Sequence, residues 1–214
     1  MAILKTEVNK GYIGRVGNTV TYVLNGQIVK RTIGKSSKKP TVPQLSARQK
    51  TTIIARFLNP VKEFINVGFG FEARRLKKNT YNLATSYNWL NAISGSYPEQ
   101  KIDFTKVLLS KGKIGTTNNI EVKVIDNKLE FTWDIACANP LVNDMDRIIL
   151  VAYSAENNGA VWSIGSAERS EGIAHLIIPK KYSFLKLETY VSFVSADYKS
   201  ISNSIYTGQF SMPV

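Results

Sequence analysis

The chain has 214 residues, of which 43% are hydrophobic and 21% charged, a composition that fits a folded globular protein and excludes disordered and collagen-like classes. One cysteine and one histidine exclude an internal disulfide and a structural zinc site built from cysteines. The net charge of +12 is uneven, because residues 1–80 hold 16 Lys and Arg against three acids, whereas residues 81–214 hold 12 against 13. This asymmetry predicts an acidic partner for the first part: nucleic acid, an acidic protein surface or assembly, or an anionic membrane surface.

The sequence contains no run of about 18 apolar residues, which a membrane-spanning helix needs. The opening MAILKTEVNKGYIG has no apolar segment after its first charges, as a signal peptide would have. We therefore expect no membrane span, and a location in the cytoplasm or in a particle assembled there.

Residues 20–33 read VTYVLNGQIVKRTI, two β-prone runs on either side of Asn25-Gly26. This dipeptide favours a type I′ turn, because both of its central residues need a positive φ, so the segment predicts a β-hairpin. Before it, glycine recurs every three residues in GYIGRVGN. A glycine loop around a phosphate and a bend leading into the hairpin are both open; the bend is favoured, because no GK[ST] follows.

A polar, basic connector at 34–40 precedes a segment with helical periodicity. From Val42 onwards apolar residues recur at steps of three and four, which predicts an amphipathic helix. Asn59-Pro60 should split this helix, because proline lacks the N–H that the helix needs. GFGF at 68–71 indicates a turn, and the apolar stripe that begins at Tyr81 predicts another helix over 80–93.

Helical periodicity ends at Tyr97-Pro98, and short β-prone runs follow. They cover 104–109, 120–125, 128–133, 147–153, 160–164, 173–178, 188–196 and 203–209. Seven or eight short strands with turn signals between them are typical of an immunoglobulin/fibronectin-III-like sandwich, here without a disulfide. We therefore predict an α+β, mainly β fold: a basic region of hairpin and two or three helices at 1–98, then an antiparallel β-sandwich at 99–214.

Eight cations of the first part are the candidate anion- or nucleic-acid-binding residues. Arg48 and Arg56 lie eight residues apart and so share one face of the first helix, and four of the five positions from 74 to 78 are cations, which repel one another unless an anion is near. With the two lysines of the connector the set is Lys38, Lys39, Arg48, Arg56, Arg74, Arg75, Lys77 and Lys78. A merely solvated surface is the other interpretation.

The sequence contains few residues of the types that perform catalysis. His175 lies in the strand-like run IAHLII, and Cys137, in DIACANP, has no adjacent base or cation that would activate a thiol. Asp144 and Asp146 lack the spacing of an EF-hand, and we expect them, like the pair Glu168 and Glu171, to be solvated loop acids. The sequence therefore predicts no catalytic residue, no metal site, no cofactor and no enzymatic activity.

Three segments resemble an uncharacterised family from Gram-negative bacteria, a domain of unknown function about as long as this chain. They are GYIGRVGNTVTYVLNGQIVKR at 11–31, PQLSARQ at 43–49 with the helix that runs towards FLNPVKEFINVGF, and VSFVSADYKSISNSIYTG at 191–208. The resemblance covers nearly the whole chain. It implies a shared architecture and no catalytic residue.

The leading hypothesis is a structural or assembly protein whose sandwich makes protein contacts, with a homo-oligomer among the options, and whose basic part docks on an acidic partner. A component of a phage-like particle fits this class. The alternative is a nucleic-acid-binding protein that uses the eight cations. A third class, an enzyme or carbohydrate-binding module with surface Tyr and Trp residues, has less support.

Overall fold

The computed structural model describes residues 12–24, 26–35, 37–135 and 141–213, and the backbone of residues 2–4. The chain divides into two compact units, residues 1–41 and residues 42–214. Cys137 lies outside the described residues, so the expectation for it stays a prediction. No helix in the described parts is both long enough and apolar enough to cross a bilayer.

The first unit is an antiparallel sheet of four strands in chain order, β1 (Ala2–Leu4), β2 (Tyr12–Val16), β3 (Thr19–Leu24) and β4 (Gln27–Thr32). The predicted hairpin is confirmed as β3 and β4, and Asn25 of its turn lies outside the described residues. The glycine-rich segment forms β2 and a tight turn at Gly17, whose φ is +57°. The bend is therefore confirmed.

The second unit begins with four helices, α1 (Val42–Leu58), α2 (Lys62–Gly68), α3 (Gly70–Leu76) and α4 (Thr80–Asn91). The predicted break at Asn59-Pro60 separates α1 from α2. The turn predicted at 68–71 is confirmed at one residue, Phe69, which separates α2 from α3, and the segment is otherwise helical because α3 starts at Gly70. The turn is short for a tertiary reason: Phe69 is buried in the core, and its N–H continues the helical bonding to the Ile65 carbonyl, so packing limits the effect of the two glycines.

The remaining strands are β5 (Ile93–Ser94), β6 (Lys101–Ile102), β7 (Glu121–Ile125), β8 (Lys128–Thr132), β9 (Arg147–Ser154), β10 (Gly159–Glu168), β11 (Ile173–Ile177), β12 (Lys186–Val194) and β13 (Ile205–Ser211). β5 and β6 pair in a small sheet of their own, one of the two larger sheets has the order β11-β8-β7 and the other β10-β9-β12-β13, and all pairs are antiparallel. Three strands facing four form an immunoglobulin/fibronectin-III-like sandwich, which confirms the predicted fold class.

The strand predicted at 104–109 is wrong. Residues Phe104–Lys106 form one 3₁₀ turn, and the backbone that follows bonds to side chains instead of to a neighbouring strand. The buried Asn88 amide accepts from the Leu108 N–H and donates to the Leu108 carbonyl, both at 2.9 Å, and the Ser204 hydroxyl accepts from the Leu109 N–H at 2.8 Å. These polar side chains satisfy the groups that a strand ladder would otherwise use.

The four-stranded sheet is buried on both faces. One face packs against the three-stranded sheet through residues such as Phe131, Trp133, Leu150 and Phe193. The other face packs against the helices: Ile149, Val151 and Tyr153 of β9 share a cluster with Ile54, Phe57 and Phe64. The second unit therefore has three layers, and its helices share a core with the sandwich. The predicted division into domains 1–98 and 99–214 stays a prediction about independent folding.

Candidate docking surface

The end of α3 determines where three of the predicted cations lie. Lys77 has left-handed backbone angles, φ 52° and ψ 42°. The Lys77 N–H donates to the Arg74 carbonyl at 3.3 Å and the Lys78 N–H to the Ala73 carbonyl at 2.9 Å, the pattern of a Schellman motif. This turn ends the helix at Leu76 and places Lys77 and Lys78 beside its last turn.

The start of α4 is fixed just beyond this turn. The Asn79 side chain caps the helix by accepting from the Asn82 N–H at 3.1 Å. The Thr80 hydroxyl donates to the Asn66 side-chain oxygen at 2.7 Å, which joins α4 to α2. The cations at the end of α3 therefore lie on a defined surface between bonded helices.

Arg75, in contrast, is neutralised within the chain. Its Nε and Nη2 donate to the two Glu72 carboxylate oxygens, each at 2.8 Å, and the Lys111 ammonium lies 3.8 Å from the same carboxylate. The hydrogen bond from Arg75 holds the pKa of Glu72 below its ordinary value, and Lys111 adds to this effect. The Glu72 carboxylate is thus already paired with Arg75 and Lys111.

The three other cations surround an open depression of about 580 Å³. Arg74 stacks on Phe71, with its guanidinium carbon 4.7 Å from the ring centroid. We call this the α3 patch; it is lined by Asn66, Phe71, Arg74, Lys77, Lys78 and Thr80. No acid is among the described residues that line it.

The other predicted cations do not line the α3 patch. Arg48 and Arg56 lie on the exposed face of α1, opposite the buried Ile54, and eight helical residues separate their Cα atoms by roughly 12 Å. Lys38 and Lys39 belong to the first unit. The structure therefore brings together three of the eight predicted residues, and the binding role of all eight stays a prediction.

The expectation that Asp146 is a solvated loop acid is wrong. Asp146 is buried, and its carboxylate lies 3.5 Å from Nη2 of Arg169, which is fully buried. Burial raises the pKa of Asp146 above its ordinary value, although the Asn143 amide and Arg169 partly offset this. The Arg169 guanidinium also stacks 3.7 Å above the Phe193 ring and donates to the Gly115 carbonyl at 2.8 Å. The pair joins the residue before β9 to the residue after β10.

A second buried acid, Glu188, was not singled out from the sequence. Its two carboxylate oxygens accept from the Tyr206 hydroxyl and the Gln209 amide, each at 2.6 Å. Burial and the bond to Glu188 raise the pKa of Tyr206. The alternating pattern of β12 did not predict that Glu188 is buried, because a charged residue inside a strand usually marks an exposed face.

The remaining candidate groups have ordinary partners. His175 is exposed on β11, with Nδ1 3.7 Å from Glu130, and the Glu171 carboxylate accepts from the Glu168 N–H in a capping box. In the described ranges, no three His, Cys, Asp or Glu side chains lie close enough together to hold a metal ion.

The model of DUF6266, a family of unknown function, matches residues 10–208. The chain belongs to this family. The match confirms the predicted resemblance to an uncharacterised family that covers nearly the whole chain. No curated protein is significantly similar to this DUF6266 member.

Among solved structures, fibronectin type III domains are similar to part of the DUF6266 chain. The fn3 domain of human collagen alpha-1(XX) has 17% identity and a TM-score of 0.35, over 47% of this chain and 89% of that domain. The fn3 domain of human contactin 1 has 12% identity and a TM-score of 0.29, over 49% and 87%. The chain spans 33% of the chicken CNTN1 FN1-FN3 structure, at 12% identity, a TM-score of 0.30 and 46% of its own length. The fold assignment therefore rests on the strand order.

Proposed function

We propose that this protein is a non-enzymatic structural or assembly protein whose α3 patch docks on an acidic surface of a protein partner. The observation that carries the proposal is the convergence of Arg74, Lys77 and Lys78 on one open depression while the adjacent acid, Glu72, is already bonded to Arg75 and Lys111. Cations that lack a carboxylate of their own attract one from a partner.

Apolar groups among these cations favour a protein partner. Leu76 is 39% exposed at the end of α3, and the partly buried Phe71 ring supports Arg74. Arginine and aromatic residues are enriched in protein interfaces, where the apolar part supplies burial and the charge supplies orientation.

Structural roles of the reactive groups support the non-enzymatic part of the proposal. Asp146 pairs with Arg169, and Glu188 accepts two hydrogen bonds from its neighbours. A general acid or base needs a proton-transfer position open to substrate. Both carboxylates instead join strands and loops of the sandwich.

Charge reversal tests the docking role. The triple variant R74E/K77E/K78E should bind poly-glutamate about tenfold or more weakly than the natural chain at low salt, since about 1.4 kcal/mol of lost attraction gives a factor of ten. The matched control is K113E/K180E/K186E, which removes three exposed lysines elsewhere in the second unit. Equal weakening by both variants would show that only net charge matters and would reject the patch.

Light scattering during size-exclusion chromatography tests the assembly role. We expect a mass above that of one chain, 23.9 kDa, at high concentration or after addition of the acidic probe. A protein that stays a compact monomer and binds no anionic partner would refute the proposal.

A further inference from the structure

The described strands of the first unit form one sheet, and among the described residues of this unit none forms a second layer on it. None of the side chains that the structure describes in this unit is buried, and Tyr12 and Leu24 are 57% and 53% exposed. A sheet with apolar residues is normally stabilised by another layer packed on it. The exposed sheet is therefore a surface that a partner can cover.

The strand register gives one face of this sheet a defined composition. Arg15 lies opposite Val20, and Val20 lies opposite Arg31, so these three form a row across β2, β3 and β4. Tyr22 and Val29 form a pair two residues further along on the same face. We call these five residues the Arg-Tyr face.

The planar groups of the Arg-Tyr face lie close together. The Arg31 guanidinium carbon is 6.0 Å from the centroid of the Tyr22 ring. Arg15 and Arg31 are two strand spacings apart, which is roughly 10 Å between Cα atoms. Arg15 is oriented by a bond from its Nε to the Gly17 carbonyl at 3.2 Å. Two guanidinium groups therefore flank the strand that carries the tyrosine.

Charge determines what can cover this face. Residues 1–41 contain eight Lys and Arg and one acid, Glu7, a balance of +7. A second copy of the sheet would bring two such charges together, and they repel. The occupant has to be anionic.

We propose that the Arg-Tyr face binds single-stranded nucleic acid, with Tyr22 stacking on a base and Arg15 and Arg31 contacting phosphates. Open antiparallel sheets that carry aromatic residues are known platforms for unpaired bases, and arginine adds both charge and a planar stacking surface. The inference does not depend on the docking role of the α3 patch.

The opposite face of the same sheet supplies a matched control. Lys30 precedes Arg31 on β4 and lies opposite Thr21, so its side chain is on the other face. Lys30→Ala and Arg31→Ala each remove one charge from adjacent positions. Only Arg31→Ala removes it from the Arg-Tyr face.

The test uses the full chain and a fluorescein-labelled oligothymidine of about 20 nucleotides, a length above the roughly 4–16 nucleotides that small single-strand sites cover. Fluorescence anisotropy at a series of NaCl concentrations gives Kd and its salt dependence. Tyr22→Leu and Arg31→Ala should weaken binding about tenfold, and Arg31→Ala should lower the slope of log Kd against log salt by about 0.7. Lys30→Ala should change Kd less than about twofold.

Two conservative variants keep the test valid if the first ones disturb the sheet. Tyr22→Phe retains the ring and should bind like the natural chain. Arg31→Lys retains the charge and should still weaken binding, because it lacks the planar group. Circular dichroism confirms that each variant is folded.

Three results would overturn the proposal. They are no binding of the oligonucleotide at low salt, equal weakening by Lys30→Ala and Arg31→Ala, and binding of poly-glutamate as tightly as the oligonucleotide. The last result would assign the face to an acidic protein.

Discussion

Replacing Phe57 by alanine tests whether the helices and the sandwich form one cooperative unit. Phe57 is 2% exposed, and its ring contacts that of Tyr153 edge to face, with centroids 4.8 Å apart. Truncating a buried phenylalanine costs about 3–5 kcal/mol, of which the ring pair accounts for about 1 kcal/mol. We therefore expect Phe57→Ala to lower the free energy of unfolding by about 4 kcal/mol.

Two probes in urea denaturation separate the layers. Far-ultraviolet circular dichroism follows the helices, and the fluorescence of Trp133, which is buried between the two sheets, follows the sandwich once Trp89 and Trp162 are replaced by phenylalanine in every variant. Because the four-stranded sheet belongs to both cores, both transitions should shift together. Leu90→Ala, at a position 70% exposed on α4, is the control and should cost less than about 0.5 kcal/mol.

A Trp133 transition that kept its midpoint while the helical signal was lost earlier would refute this reasoning. It would show that the sandwich folds without the helices, and the predicted division between residues 98 and 99 would then be supported.

Three further predictions concern single positions. Gly68→Ala should destabilise by about 1–3 kcal/mol, because an added Cβ would overlap the Leu109 carbonyl oxygen; Gly70→Ala, with open space around it, is the control, and equal effects in urea would contradict this. Asp146→Ala leaves the buried Arg169 without this carboxylate and should cost about 3–5 kcal/mol, much of which adding Arg169→Met should restore; a cost below about 1 kcal/mol would contradict the pairing. Stability should fall as the pH rises above about 10, because the pKa of Tyr206 is raised in the folded chain and the unfolded chain loses its phenol proton first. Tyr206→Phe should make this decline shallower in urea midpoints measured between about pH 9 and 11, and an unchanged decline would contradict the assignment.

Local patterns predicted most of the elements. The strands β7 to β13 each follow from β-prone residues between turn signals, and Asp126, with φ 50°, lies in the short connection between the predicted runs 120–125 and 128–133. The break between α1 and α2 follows from the missing N–H of Pro60. These features depend on a few neighbouring residues, so they can be predicted from one sequence.

Features that depend on distant residues were not predictable in the same way. The local sequence around Asp146 is typical of a solvated loop acid, and only the structure shows that Arg169, 23 positions later, lies beside it. The turn predicted at 68–71 is confined to Phe69, because contacts of Phe69 with other elements outweigh the glycine propensity of the rest of the segment. The candidate cations were visible as a charge excess, but the grouping of Arg74, Lys77 and Lys78, without Arg75, required the positions of Glu72 and Lys111.

Lys77, which ends α3, holds a left-handed backbone conformation that lysine adopts only at a cost. A protein designer who wanted only to stop a helix there would choose glycine, because a residue with a Cβ costs roughly 1–2 kcal/mol in this conformation. This chain has Lys77 instead, and what lysine adds over glycine is a long stem and a positive charge. Lys77→Gly should therefore raise the melting temperature while weakening the attraction of the surface for acids, so that thermal stability and binding move in opposite directions at one position.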